Sequence, residues 1–334
     1  MFEDAIAIFQ NIFNKRAFYF SPDYDLTNPF KKAAENKFKR GNYDNRFFYN
    51  EIYTAQLKEH GLDNWIQPFI SGLVLEKIMV VNQKKIKFIL VTRRDKSRAG
   101  YRFLSRGANE HGHTSNFAET EQILAVHEDN HTDMFSYLEI RGSIPLIWGQ
   151  PPTMKWSPSL LIEQNDLKNQ AAYDNHIKSL KKYYDEIHLV NLIDKKNSQK
   201  KIGEQFTKIV REHNDAKVKY TWFDFHAETK TGWDNLSKLI GDVKESIISL
   251  GYSHFKVHKT VERLLTQSDE SEIPRITEVQ LQKGVFRVNC MDSLDRTNVV
   301  MSLIARSILH SQLHAVDSHL KTGRLHPEAQ RHGF

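Results

Sequence analysis

The sequence predicts a mixed α/β fold in which a mixed sheet is flanked by helices, and three observations point to it. Short apolar or alternating runs rich in Val, Ile, Phe and Tyr recur at residues 86–92, 121–127, 134–140, 187–193 and 219–225, the signature of strands. Helical stretches lie between the later runs, at Gln170–Asp185 and Glu204–Asn214, and strands alternating with helices build a helix-covered sheet. Finally, the 334 residues are 40% hydrophobic and 26% charged, which is globular composition in one large or two modest domains and excludes disorder as the dominant state.

Each element follows from its pattern. Phe2, Ala5, Ile6, Phe9, Ile12 and Phe13 recur at three- and four-residue intervals and predict an amphipathic helix. A short aromatic strand at Ala17–Phe20 leads into a turn-rich stretch, Ser21–Pro29, and a polar segment with some helix, Lys31–Arg46. From about Ile66 the strands begin. Helices are also predicted at Trp233–Leu250 and from Asn298 to about Gln312, the Lys195–Lys201 run reads as a solvated loop, and the polar, histidine-rich stretch after His314 reads as a poorly packed tail. There is no internal repeat.

Bulk charge and cysteine usage narrow the function. A formal net charge of +6 suits an anionic partner, nucleic acid or the acidic face of a membrane, or else is a mild surplus of surface lysine. The single cysteine forbids an intramolecular disulfide, points to a reducing compartment, and excludes zinc sites needing two thiolates. No apolar stretch approaches the ~18–20 residues of a membrane span, and the early acids Glu3 and Asp4 do not fit a secretory signal. A soluble or peripheral protein is expected.

The chemistry is concentrated in GVFRVNCMDSLDRTNVV, residues 284–300. Val285–Val288 reads as a strand, and Val299, Val300, Leu303, Ile304, Ser307 and Ile308 give helical periodicity, so Cys290 ends a strand and Arg296 stands at the mouth of a helix. Loop N–H groups closing on a helix N-terminus form an anion nest. The helix end and the guanidinium both favour thiolate over thiol, where an unperturbed thiol of pKa ~8.5 is only about 3% ionised at pH 7. The planar fork of Arg296 matches two equatorial oxygens of a phosphoryl group. The bland alternative is a cysteine that is simply a small buried apolar residue at a strand end.

This loop resembles the signature R-x-N-C-x-D-C-L-D-R-T-N of the Sac family of phosphoinositide phosphatases, with Arg287, Asn289, Cys290, Asp292, Leu294, Asp295, Arg296, Thr297 and Asn298 in register. FYFSPDYDLT (18–27), RFFYN (46–50), TRRDKSRAGYRF (92–103), NFAETEQIL (116–124), RGSIPLIW (141–148) and FDFHAE (223–228) also resemble family segments, so the likeness covers about residues 10–310. Two departures stand out. Ser293 replaces the second loop cysteine, and the RG-x-D pattern becomes Arg106-Gly107-Ala108-Asn109, without its carboxylate.

The resemblance implies a tyrosine-phosphatase-like Cys-x5-Arg loop on the α/β sheet. It also implies a catalytic domain over 66–312, a remnant of an N-terminal subdomain over 1–65, and a tail over 313–334. Most of that subdomain would precede Met1, and further sequence with any membrane anchor would follow the last helix. The implied activity is metal-free and cofactor-free hydrolysis of a phosphatidylinositol monophosphate, the 4-phosphate favoured, through a phosphocysteine on Cys290. Arg296 would clamp the phosphoryl group, Thr297 would assist release of the thiolate, and Asp292, or less favourably Asp295, would protonate the leaving oxygen; a raised carboxyl pKa is then required beside the phosphate. The alternative is that both aspartates only brace the loop. Asn289, Met291, Ser293 and Leu294 would line the phosphate, and Arg93, Arg94, Arg98, Arg102 and His226 would meet the headgroup or bilayer. The expected partner is a phosphoinositide on the cytosolic face of internal membranes. A lipid-binding scaffold without turnover and a protein-tyrosine phosphatase are the rival readings.

Three other signals are weighed against this. His127 to His131 fits the zinc-protease pattern H-E-x-x-H, but it falls between two strand-like runs rather than on a helix, so a polar strand connection is expected. His226-Ala227-Glu228 lacks the downstream cysteines of a zinc deaminase and reads as a cleft-lining or structural pair. The cluster Arg93, Arg94, Lys96, Arg98, Arg102 and Arg106 either holds an anionic headgroup or pairs with acids such as Glu119 and Glu121; Tyr101 and Phe103 fit strand positions, which disfavours nucleic acid.

Overall fold

The computed structural model describes residues 17–39, 41–81, 84–100, 106–151, 159–258 and 275–316. The expected N-terminal helix, Arg102 with Tyr101 and Phe103, and the tail beyond residue 316 lie outside them.

In chain order the elements are β1 (Phe18–Tyr19), α1 (Phe30–Glu35), α2 (Glu51–Glu59), β2 (Ile70–Val81), β3 (Lys84–Arg94), β4 (Ala118–His127), β5 (His131–Arg141), β6 (Trp148–Gly149), β7 (Leu161–Ile162), α3 (Asp166–Leu180), β8 (Glu186–Asn191), α4 (Asn197–His213), β9 (Val218–Trp222), α5 (Phe225–Thr229), α6 (Leu236–Leu250), β10 (Ser253–His258), β11 (Ile276–Gln280), β12 (Gly284–Asn289) and α7 (Asp295–Val316). The mixed α/β class is as the sequence predicts. One sheet runs β1-β2-β3-β4-β5-β12-β8-β9, antiparallel up to β5 and parallel from β5 through β12 and β8 to β9.

β5 is the joint between the two halves. Its first six residues pair with β10, and its last two, Ile140 and Arg141, pair with β12. Between these stretches the backbone N–H and C=O of Leu138 meet no strand on that side. The amide of Gln282 fills the place: its Oε1 accepts from Leu138 N at 2.8 Å and its Nε2 donates to Leu138 O at 2.7 Å.

Two apolar cores lie on opposite faces of the parallel half. One packs Tyr173, Ile177 and Leu180 of α3 and Ile202, Phe206 and Ile209 of α4 on Leu189 and Val285. The other packs Leu239, Val243 and Ile247 of α6 and Val300, Met301, Ile304 and Ile308 of α7 on Val190, Phe286 and Val288. By length and composition α7 is long and apolar enough to cross a membrane, against the sequence expectation of no such stretch. Its buried apolar positions, Val300, Met301, Ile304 and Ile308, are three and four apart and face the sheet, while most of the apolar stretch is not buried.

Some elements differ from expectation. Asn197–Lys201, read as a loop, forms the first turns of α4, because Ile202, Phe206, Ile209 and Val210 make one buried stripe while the lysines point to solvent. β9 stops at Trp222; the Asp224 side chain then accepts the Ala227 N–H at 3.0 Å and caps α5. His127 ends β4 and His131 opens β5, the strand connection expected for that motif.

Candidate active site

Parallel strands deliver their carboxyl ends to one edge of a sheet, and that edge is where α/β folds bind ligands. Asn289 ends β12 and Asn191 ends β8, so Cys290 and the segment Leu192–Asp194 emerge side by side. Arg141, at the end of β5, joins them in register with Val288. Residues 290–294 then turn into α7, with Ser293 at φ 52°, a left-handed conformation that costs energy for a side chain other than glycine.

The Cys290 sulfur accepts the Ser293 N–H at 3.1 Å, the loop amide expected to face an anion. The cysteine is only 1% exposed and its neighbours include Val190, Leu192, Phe223 and Val300, so the loop lies closed over the sulfur. Arg296, in the first turn of α7, makes no hydrogen bond to the sulfur. It donates to Leu192 O at 3.4 Å and stands 3.6 Å from Asp194 Oδ1, which also meets His226 Nδ1 at 2.8 Å. Asp194 thus supplies Arg296 with an anion, and His226 is brought to the same point, on α5 rather than on a strand end.

The remaining loop residues divide sharply. Asp292 is ion-paired through Oδ1 with Arg106, whose Nε also donates to Gln150 at 3.0 Å. Asp295 opens α7 and is exposed, as is Leu294. Thr297 is buried with its hydroxyl donating to Leu294 O at 2.8 Å, and Met291 packs into the core on the α3–α4 side. Asn289 is a brace: its amide donates to Asn191 Oδ1 at 2.7 Å, and its own Oδ1 accepts from Arg287 at 3.2 Å. Arg287 is fully buried and also meets His176 Nε2 at 3.3 Å; burial pushes its guanidinium down to about 9.

Strand alternation separates Arg93 from Arg94, and Arg98 lies in the turn that follows β3. Arg93 is placed in the interior, not at the cleft: it is 0% exposed, ion-paired with Glu119 at 3.2 Å and Glu121 at 2.7 Å, and donates to the carbonyls of Leu26 and Asn28. Arg98 holds the 106–115 loop through Ser115 Oγ at 3.1 Å and the Arg106 carbonyl at 3.0 Å. Arg94 alone of these three faces the open side of the sheet, beside Arg141.

Arg141 and Asp194 are not among the site residues expected from the sequence, and Arg106, expected as part of the basic cluster, pairs with a loop carboxylate instead. Arg141 donates to Ser293 O at 2.8 Å and Asn298 Oδ1 at 3.0 Å, tying β5 to the loop, and Asp194 and Arg106 are the counter-ions of Arg296 and Asp292. The available signals were positional: Asp194 follows a predicted parallel strand, and Arg141 opens the quoted segment RGSIPLIW. Among the described residues no group of three or more His, Cys, Asp or Glu side chains is placed to hold a metal.

With this geometry in view, residues 2–230 match the SacI homology domain. The chain belongs to this family. It is 35% identical to the phosphatidylinositol-3-phosphatase SAC1 of Saccharomyces cerevisiae over 314 residues, covering 90% of this chain and 48% of that protein. It is 32% identical to phosphatidylinositol-3-phosphatase SAC1-A of Danio rerio, covering 92% and 50%, and 29% identical to the phosphatidylinositide phosphatase SAC2 of Mus musculus, covering 94% and 28%. The chain therefore spans about half the length of the SAC1 relatives it matches. These alignments extend well beyond the part of the family matched by residues 2–230.

Proposed function

We propose that the chain hydrolyses a phosphatidylinositol monophosphate at the Cys290 loop. The observation that carries this reading is the strand–loop–helix itself: a cysteine at the carboxyl end of a parallel strand, a loop N–H on its sulfur, and Arg296 in the first turn of the following helix. Relatives named as phosphoinositide phosphatases support the substrate class.

In the proposed reaction the Cys290 thiolate attacks phosphorus, the P–O bond to the inositol breaks, and the departing oxygen takes a proton; water then cleaves the phosphocysteine, releasing phosphate and restoring the thiolate. For phosphate to enter, the loop must swing so that the Ser293 N–H passes from sulfur to a phosphoryl oxygen. Arg296 exchanges Asp194 and the Leu192 carbonyl for the same anion, so the charge it needs is present before and after. Asp292 serves as the acid only once its contact with Arg106 parts, which substrate entry beside Arg106 would bring about. The substrate is met at an anionic bilayer surface on the cytosolic side of internal membranes.

The test is phosphate release from a panel of short-chain phosphoinositides by the parent chain and by Cys290→Ser. Release that falls by about a thousandfold or more in the variant is expected. Undiminished release, or none from any lipid by the parent, overturns the reading. The 4-phosphate expected from the sequence and the 3-phosphate in the relatives' names are separate arms of this panel, and phosphotyrosine peptide is a third.

A further inference from the structure

Beside the loop a groove of about 500 Å³ runs between α7 and the part of the β2–β5 face that α7 leaves open. Strand register sets its floor. Thr92, Thr120 and Glu139 lie side by side, the two threonine hydroxyls 3.1 Å apart, and Leu73, Phe88, Leu90 and Leu309 give the rest an apolar lining.

At the end nearest the loop stand Arg94 and Arg141, in register on either side of Ala118 and so with backbones about 10 Å apart across two strand spacings. Directly opposed residues in a sheet project to the same face, so both guanidinium groups share this side of it. Burial and the neighbouring charge of Arg94 push Arg141 below the usual guanidinium range. Among the described residues neither forms an ion pair with a carboxylate, although Glu139 is close by. Burial pushes that carboxyl well above the ordinary range, and the Tyr137 hydroxyl donates to it at 3.4 Å. Two cations held together without a counter-ion, above a floor that turns apolar with distance, complement an amphiphile with an anionic head.

We propose that Arg94 and Arg141 bind the phosphodiester of the lipid whose ring phosphate occupies the Cys290 loop, and that the groove beyond takes the glycerol and the start of the acyl chains. This rests on the function proposed above. A phosphoinositide carries two anions, a monoester on the ring and the diester to glycerol. Arg141, bonded to the carbonyl of Ser293, is one residue removed from the sulfur and so spans the two positions.

The test is calorimetric titration of the Cys290→Ser protein, whose turnover is expected to be at least about a thousandfold slower, with three ligands. Glycerophosphoinositol has the diester alone, dihexanoyl phosphatidylinositol has diester and tails, and inositol 4-phosphate has the monoester alone. Adding Arg94→Gln is expected to weaken both diester ligands about tenfold, at least fivefold more than it weakens the monoester. Leu73→Asp, on a half-exposed edge strand, is expected to weaken the acylated ligand selectively. The subsite is overturned if neither diester ligand binds, if Arg94→Gln leaves them unchanged, or if it weakens the monoester equally. Loss of the proposed activity shows separately, as absent phosphate release by the parent, and does not alter these diester titrations.

Discussion

The two faces of β3–β5 are one residue apart in sequence and opposite in electrostatics. On the inner face Arg93 answers Glu119 and Glu121, while Arg46 pairs with Asp44 at 2.8 Å and Tyr184 donates to Glu119. Every charge there has a partner and almost none is exposed. On the outer face Arg94 and Arg141 stand together above the buried Glu139, along a groove, with no ion pair to a carboxylate among the described residues. The inner face shows charge enclosed for architecture; the outer shows charge left over for an external anion. Local sequence treats the two arginines alike, and only alternation along the strand separates them.

The sharpest way to break this contrast is to remove Arg93. Arg93→Met strands two buried carboxylates, and a loss of about 3–5 kcal/mol in unfolding free energy is expected from denaturant titration. A loss under about 1 kcal/mol would mean that the inner network is not what holds these strands.

A second test asks how far enclosure extends into the parallel half. His188 of β8 is buried against Phe286, and burial pushes its imidazole down to about 4. The unfolded chain binds this proton near pH 6.5, whereas the folded chain does so only near 4. The stability linked to His188 is therefore full above pH 6.5 and drains away as pH falls towards 4, by up to about 3 kcal/mol. His188→Gln should flatten the stability–pH curve between pH 7 and 4, and an unchanged slope would assign the acid sensitivity elsewhere. The smallest effect is expected at Arg94. Arg94→Gln should shift unfolding free energy by no more than about 0.5 kcal/mol, since no ion pair is lost, and a penalty like that of Arg93 would erase the distinction between the faces.

The sequence disclosed the parts of the fold whose burial leaves a local pattern. The apolar runs of β3, β4, β5 and β8, enclosed by neighbours, were legible as strands. β2 and β11 were not: β2 lies towards the sheet edge with Leu75, Ile78 and Val80 exposed, and most of β11 faces solvent. The same rule governs the site. Cys290 and Arg296 are six residues apart and readable as a motif, whereas Asp194, Arg141 and Arg106 meet their partners Arg296, Ser293 and Asp292 from 102, 152 and 186 residues away, a proximity decided by strand order. The pairing of Arg93 with Glu119 and Glu121 was legible as an alternative because those acids lie in a resembling segment near a predicted strand, although only Glu121 falls within the run 121–127. The closed loop was not, since its left-handed Ser293 leaves no periodic trace.

The glutamine that stands in for a missing strand at Leu138 has a kinetic consequence. A ladder hydrogen bond opens only when two strands part, but the bond from Leu138 N to Gln282 breaks with the turn of one side chain. Exchange of the peptide hydrogen of residue 138 with deuterated water therefore needs only the local release of Gln282 from Leu138 and Gly284, and no parting of strands, at the seam where β5 passes from β10 to β12.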